Sequence, residues 1–362
     1  MISLHAIGSK TLGGAERFCI RLLDALRERG ETVSALVRRG SEVIGAVPDG
    51  IPVTQSPMRT VWDPWSKWAV AHAIAALRPD IVQTYMGRAT RLTRIPAGGG
   101  PVHVARLGGY YKLDGYRHAH AWIGNTRGVC DYMIDNGLPA ERVFHIGNFI
   151  DLPQTHSAAE RAGLRVAWRL PGDAYVLMTA GRFVEVKGHG LLLDALARLP
   201  ERLDGRPVRL LLLGDGVLER PLRERAARLG IGDRVVWTGW QTDPASFYEV
   251  ADQVVFPSRE GETLGNVILE AWAHGKPIVV TQFRGAREIT RHGVDAWQVP
   301  CEDVSALAEG IRHVASDPGL AAALAGRGYE RVRLDFSRAA VAGQYIELYG
   351  ELRRRQGRRD VA

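Results

Sequence analysis

Short apolar runs alternate with longer segments of helical spacing along almost the whole chain. Ile2–Ile7 is an apolar run; a glycine-rich stretch follows, then a 3.6-residue pattern from Ala15 to Arg29, then the run Thr32–Val37. Further runs at Asp80–Thr84, Val102–Ala105, Ala121–Gly124 and Arg142–Ile146 read as strands, with a short helical stretch at Trp68–Leu77. Residues 151–167 have weak periodicity and read as a linker. The alternation then restarts. Tyr175–Ala180, Val208–Leu213, Val235–Trp237, Val254–Phe256 and Pro277–Val280 read as strands. Helices are expected at Gly190–Leu199, Leu218–Leu229, Pro244–Val250 and Gly265–Ala273. Near-continuous apolar strands separated by helices predict parallel sheets covered on both faces. The fold class is therefore α/β, as two doubly wound units joined by one linker. Ligands in such sheets bind beyond the carboxyl ends of the strands, so a cleft between the two units is the expected site.

Composition narrows the class without naming a function. With 362 residues the chain is long enough for two cores, and 46% hydrophobic with 24% charged residues is ordinary for a globular protein. No run of 18 apolar residues occurs, and the first residues read as a strand and not as a signal peptide. Cys19, Cys130 and Cys301 are widely spaced and form no Cys/His cluster. That predicts a reducing compartment and no structural metal. The net charge of +7 is uneven: residues 1–150 hold 18 Lys and Arg against 12 Asp and Glu, and the remainder 29 against 28. A basic run, Arg353–Arg359, lies near the end of the chain. Such a surplus suits anionic lipid or a phosphorylated glycan; no nucleic-acid motif accompanies it.

Four segments carry candidate chemistry. In the stretch from Pro257 to Pro277, Glu262 lies on a loop and Glu270 about two turns along the helix that follows. Free N–H groups at a helix start attract an anion, and carboxylates accept hydrogen bonds from hydroxyls, so a ligand bearing both phosphate and hydroxyls fits. Gly181–Gly188 places Arg182 and Lys187 beside another helix start, an arrangement suited to a diphosphate. Lys187 is one of only five lysines. Gly13 and Gly14 sit between the first strand and first helix, where they suit either a tight strand-to-helix turn or a close approach of backbone to a ligand. Leu213–Gly216 and Thr238–Trp240 each follow a strand. No G-x-G-x-x-G, complete P-loop or D-x-D occurs.

Taken together these segments resemble the retaining glycosyltransferases of family 4 with the GT-B fold. The stretch Pro257–Pro277 is similar to their P-S-x-x-E-x-x-G-x-x-x-L-E-A-x-A-x-G-x-P signature, and Gly181–Gly188 to their G-R-x-x-x-x-K-G motif. Where the family usually has Gly-Phe-Gly, this chain has Thr263-Leu264-Gly265. The resemblance implies a nucleotide-diphosphate sugar (UDP-, GDP- or ADP-linked) as donor and no cofactor or metal. It implies that Arg182 and Lys187 hold the diphosphate, Glu262 the sugar and Glu270 the ribose. Gly13, Gly14, Gly214, Trp240, Thr263, Leu264, Gly265 and Asn266 complete the donor site. For Trp240 two readings stand: stacking on the base, or packing in the core, which is the expectation. Residues 1–150 would bind the acceptor, 168–335 the donor, and a helix within 336–362 would cross back to the first domain.

Arg106, Tyr110 and Lys112 are the acceptor-side candidates, and His103 is expected to be a core residue. Asn148 is expected to line the domain junction. The wording Gly265–Ala273 looks like that of lipopolysaccharide or surface-polysaccharide transferases, with a saccharide or lipid-linked acceptor. That implies a cytoplasmic protein, peripheral on the inner face of the membrane. Trp62, Trp65 and Trp68, interleaved with Arg59 and Lys67, suit either a membrane interface or packing inside the first domain. A non-catalytic nucleotide-sugar-binding protein and a nucleotide-sugar epimerase are the alternatives; the pairing of Lys187 with two spaced glutamates disfavours both.

Overall fold

A computed structural model describes residues 1–98, 100–153, 157–241 and 243–359. The end of the basic tail, residues 360–362, and part of the linker, residues 154–156, lie outside the described residues. The chain forms two units: Met1–Asn148 together with Arg338–Ala362, and Phe149–Ser337.

Unit 1 contains one sheet, built from β1 (Ile2–Ile7), β2 (Thr32–Arg38), β3 (Val53–Ser56), β4 (Ile81–Tyr85), β5 (Val102–Leu107), β6 (Ala121–Gly124) and β7 (Val143–His145). Their order is β3-β2-β1-β4-β5-β6-β7, and every pairing is parallel. Ile7 lies opposite both Val37 and Tyr85, so the loops after β1, β2 and β4 leave the sheet side by side. The helix Arg338–Arg359 completes this unit. Its Tyr345 and Tyr349 are buried, and the Tyr349 hydroxyl donates to Gln83 Oε1 at 2.6 Å.

Unit 2 repeats the plan with β8 (Tyr175–Ala180), β9 (Arg202–Leu203), β10 (Arg206–Leu213), β11 (Val235–Gly239), β12 (Gln253–Phe256), β13 (Ile278–Thr281) and β14 (Trp297–Val299). The order is β11-β10-β8-β12-β13-β14, parallel throughout, with β9 as a short antiparallel addition on β10. Alternate residues of β8 enter opposite cores: Val176 and Met178 one, Tyr175 and Leu177 the other. That two-sided burial is why these strands read as unbroken apolar runs.

Several elements depart from the sequence reading, among them β9, β14 and the helices Arg127–Asp135, Val304–Ser316 and Pro318–Asp335, which were not expected. β3 was not expected; its Val-Thr-Gln-Ser sequence is polar because it is an edge strand. Residues 158–167, read above as linker, form a helix with no buried residue. A reciprocal cap between Ser157 and Glu160 starts that helix, the half-buried Leu164 packs on the core of unit 2, and Arg165 donates to the Val250 carbonyl at 3.2 Å. The helix expected at Trp68–Leu77 begins earlier, at Pro64.

Candidate active site

In both sheets the chain builds outward on one side of the first strand and then crosses to its other side, so the connections from neighbouring strands run to opposite faces and open a crevice at the carboxyl ends. In unit 2 this switch point lies between β8 and β12. The loop after β8 carries Gly181–Gly188; the loop after β12 carries Ser258–Gly265. Lys187 Nζ and Glu262 Oε2 meet there at 2.6 Å. The pair is partly open to solvent, with side chains 22% and 11% exposed. Glu262 is steadied by its neighbours, accepting from the Ser258 hydroxyl at 3.5 Å and from the Thr263 N–H at 3.3 Å.

The backbone around this pair is braced. Arg259 N–H donates to the Val186 carbonyl at 2.8 Å, tying the two loops together. Gly188 has φ +67°, and a Cβ there would lie 1.9 Å from the Pro257 carbonyl oxygen. Only glycine permits that approach. Gly265 repeats the case: at φ +71°, a Cβ would meet the Phe256 ring at 2.3 Å. This residue turns the chain into the helix Asn266–Ala273. The loops after β10 and β11 join the same framework, since Gly181 N–H donates to Leu213 O and Gly214 N–H to Gly239 O, both at 2.9 Å.

Glu270 sits on that helix and is half-buried; the Tyr248 hydroxyl donates to its Oε2 at 2.6 Å. Burial and the adjoining carboxylate push the Tyr248 phenol far above its ordinary range, so it stays a donor. Arg182 is exposed, and no described residue pairs with its guanidinium. Asn266 is exposed and Thr263 half-buried, whereas the Leu264 side chain is 3% exposed and packs in the core. Leu264 therefore offers a ligand only its main chain. Trp240 is 52% exposed, which overturns the expectation that it packs inside.

In unit 1, Gly13 and Gly14 are exposed at the start of the helix Gly14–Glu28. The buried carboxylate of Glu16 accepts from the Gly13 N–H at 2.9 Å, so this helix start already carries an internal anion. Tyr110 and Lys112 are exposed on the loop after β5. Arg106 is a correction. It is 4% exposed, donates from Nε to Tyr345 OH at 2.9 Å and from Nη2 to Asn148 Oδ1 at 2.6 Å, and stacks 3.7 Å over the Phe18 ring. Its charge serves the interior of unit 1, and Asn148 is its partner there. His103 is fully buried, as expected of a core residue.

Sequence reasoning missed Tyr248, the partner of Glu270, which has no spacing signal because the fold brings it in; Ser258, the partner of Glu262, stands inside the quoted signature but was not singled out. Among the described residues, no three His, Cys, Asp or Glu side chains are arranged to hold a metal ion.

Two doubly wound units with this strand order define the GT-B class of α/β enzymes. Residues 174–317 match the family of glycosyl transferases group 1, and residues 12–154 match glycosyltransferase family 4. The chain is 35% identical over 342 residues to the lipopolysaccharide core biosynthesis glycosyltransferase LpsE of Rhizobium meliloti, covering 93% of this chain and 95% of that one. LpsD of the same organism is 31% identical over 342 residues, covering 94% and 95%. The fold superposes on Anabaena HepE, solved with UDP and glucose, with a TM-score of 0.81 at 22% identity over 97% of this chain and 100% of that one. The chain belongs to the group 1, family 4 glycosyltransferases, and it is a transferase enzyme.

Proposed function

We propose that this enzyme is a retaining glycosyltransferase of lipopolysaccharide core synthesis. It moves a sugar from a nucleoside diphosphate donor bound by unit 2 to a saccharide or lipid-linked acceptor bound by unit 1. The observation that carries the reading is the Lys187–Glu262 pair at the β8/β12 switch point. A cation and a carboxylate in contact there suit the two halves of a nucleotide sugar: the diphosphate faces the lysine and the sugar hydroxyls face the glutamate. Arg182, with no described partner, supplies a second cation to the diphosphate. Glu270, oriented by Tyr248, accepts from the ribose hydroxyls. The exposed Trp240 stacks on the base. The main-chain groups of Thr263–Asn266, with Gly214, line the sugar and phosphate, and Gly13 and Gly14 of unit 1 are kept as donor-site candidates. Tyr110 and Lys112 are kept on the acceptor side.

In the reaction the bond from the anomeric carbon to the diphosphate oxygen breaks, and a bond to the acceptor oxygen forms on the same face. The acceptor hydroxyl proton passes to the departing phosphate. Arg182 and Lys187 stabilise the charge that develops on that leaving group, often the largest contribution in such a site. The name of LpsE supports the lipopolysaccharide pathway, and the UDP bound to HepE makes uridine nucleotides the first donors to try.

Thermal stabilisation by UDP, GDP, ADP and their sugars, without added metal, tests this reading. A ligand at about 100 times its dissociation constant adds about 2.7 kcal/mol of stability. A shift confined to one base, and lost in Glu270→Ala, is the expected result. Absence of a shift with every nucleotide would overturn the donor site.

A further inference from the structure

The helix Pro64–Leu77 is apolar on both of its faces. Inward it buries Val70, Ala73 and Ile74 against a core that includes Leu4, Leu36 and Val82. Outward it shows Trp65, Trp68, Ala71, His72, Ala75 and Ala76, all exposed, and the helix contains no acidic residue. A helix apolar all round is normally covered all round. Trp65 and Trp68 are 73% and 60% exposed, and Trp62, in the turn leading into the helix, is 81% exposed. The reading that these tryptophans pack inside the domain is thereby overturned.

The patch is built, not frayed. Asp63 caps the helix, accepting from Trp65 N–H at 3.2 Å and from the Ser66 hydroxyl at 2.6 Å. Arg59 N–H donates to Ser66 Oγ at 3.1 Å and closes the turn that carries Trp62. Trp65 and Trp68 meet edge to face at 6.3 Å, and Trp68 stacks on His72 at 5.1 Å. Preordered rings of this size lose little conformational freedom when something covers them.

The chemistry points to one occupant. Tryptophan has an apolar body and a polar N–H, which suits the headgroup layer of a bilayer. The remaining outward side chains are mostly alanine, so penetration is shallow. Arg59 and Lys67 are exposed beside the rings, and the first 150 residues carry the basic surplus of the chain. Those cations complement anionic lipid, whereas a second copy of the patch would bring like charges together. Among the described residues no helix is long and apolar enough to cross a membrane. We propose that Trp62, Trp65 and Trp68, flanked by Arg59 and Lys67, dock unit 1 onto the headgroup layer of an anionic bilayer.

The test is flotation of the full chain with vesicles of phosphatidylcholine, with and without phosphatidylglycerol. The wild type is expected to float with the anionic vesicles and to shift its tryptophan emission to the blue. The triple variant Trp62→Ser, Trp65→Ser, Trp68→Ser is expected to bind at least about tenfold more weakly, with unchanged melting. Should the triple variant fail to fold, Trp62→Ser alone is expected to weaken binding about threefold, because a single ring is lost. Equal binding by wild type and variants would overturn the proposal, as would no binding of the wild type to either vesicle. A wild-type dimer in sedimentation that the triple variant abolishes, without vesicle binding, would assign the patch to a second copy instead. Nucleotide-induced stabilisation is unaffected by any of these variants, so failure here is separable from failure of the donor site.

Discussion

Both units set their first strand beside a strand reached in the opposite direction, yet they fill that place with opposite chemistry. In unit 1, β1 and β4 carry a buried chain of neutral hydrogen bonds. Tyr349 OH donates to Gln83 Oε1, Gln83 Nε2 donates to Tyr85 OH at 2.6 Å, and Tyr85 OH lies 2.8 Å from His5 Nδ1. The other His5 nitrogen lies 3.1 Å from Ser3 Oγ. Burial holds His5 neutral, its pKa pushed down to about 3. In unit 2 the loops beyond β8 and β12 carry a charged pair that water reaches. A satisfied neutral network fixes a structure. A half-exposed ion pair adds little stability and leaves its charges open to exchange partners. One topology thus carries a closed neutral interior in one unit and a charged pair open to water in the other.

The largest expected effect comes from breaking the charged side. Lys187→Ala should lower the rate of sugar transfer by about a thousandfold, as loss of a leaving-group cation does. Melting should change by less than about 1 kcal/mol, because the pair is partly solvated. Initial rates and calorimetry on the same preparation check both halves; a large loss of stability would make Lys187 a structural residue. Next, Arg106→Ala should cost unit 1 about 3 kcal/mol, since Tyr345 and Asn148 lose a buried partner. Denaturant unfolding reads this, and the nucleotide-induced shift of unit 2 should survive. If Arg106→Ala kept full stability and lost transfer, the guanidinium would belong to the acceptor and the comparison would fail.

The effect of pH is small for each group and spread over several histidines. Burial depresses His5, His103, His118, His120 and His145 in unit 1, against His189 in unit 2, which is pushed down to about 4. These groups take up protons in the unfolded chain near pH 6.5 but not in the fold, so stability is complete above that pH and falls below it. His5 alone should cost about 2 kcal/mol at pH 5. Unit 1 is therefore expected to melt first on acidification; simultaneous loss of both units would contradict the assignment.

Much of this was legible beforehand. β1 and β8 match their apolar runs end to end, because strands buried on both faces leave an unbroken signal. β3 left none, being polar and at an edge. The helix Ala158–Ala167 buries no residue fully and sets only Leu164 against the core, so its signal is faint, although Ser157 and Glu160 carry a capping signature that marks it. At the site, Lys187 and Glu262 are visible as residues, but their contact exists only once β8 and β12 pair. Arg106 misled for the same reason: a cation beyond a strand looks available until Tyr345, 239 positions later, closes over it. Exposure of Trp240 and of the Trp62–Trp68 group is equally a property of the fold, not of spacing.

The split of unit 1 around unit 2 has a consequence for the order in which the protein is made. Unit 2 ends at Ser337, but unit 1 needs Arg338 and beyond. On the ribosome, residues 149–337 emerge as a complete set and are free to fold while the first 148 still lack a helix. Until Tyr345 and Tyr349 arrive, the Arg106 Nε lacks its acceptor and the Gln83 Oε1 its donor. The segment synthesised first is thus the last to be finished, and a chain cut after residue 337 would hold every residue of unit 2 but an incomplete unit 1, the state in which a chaperone has most to do.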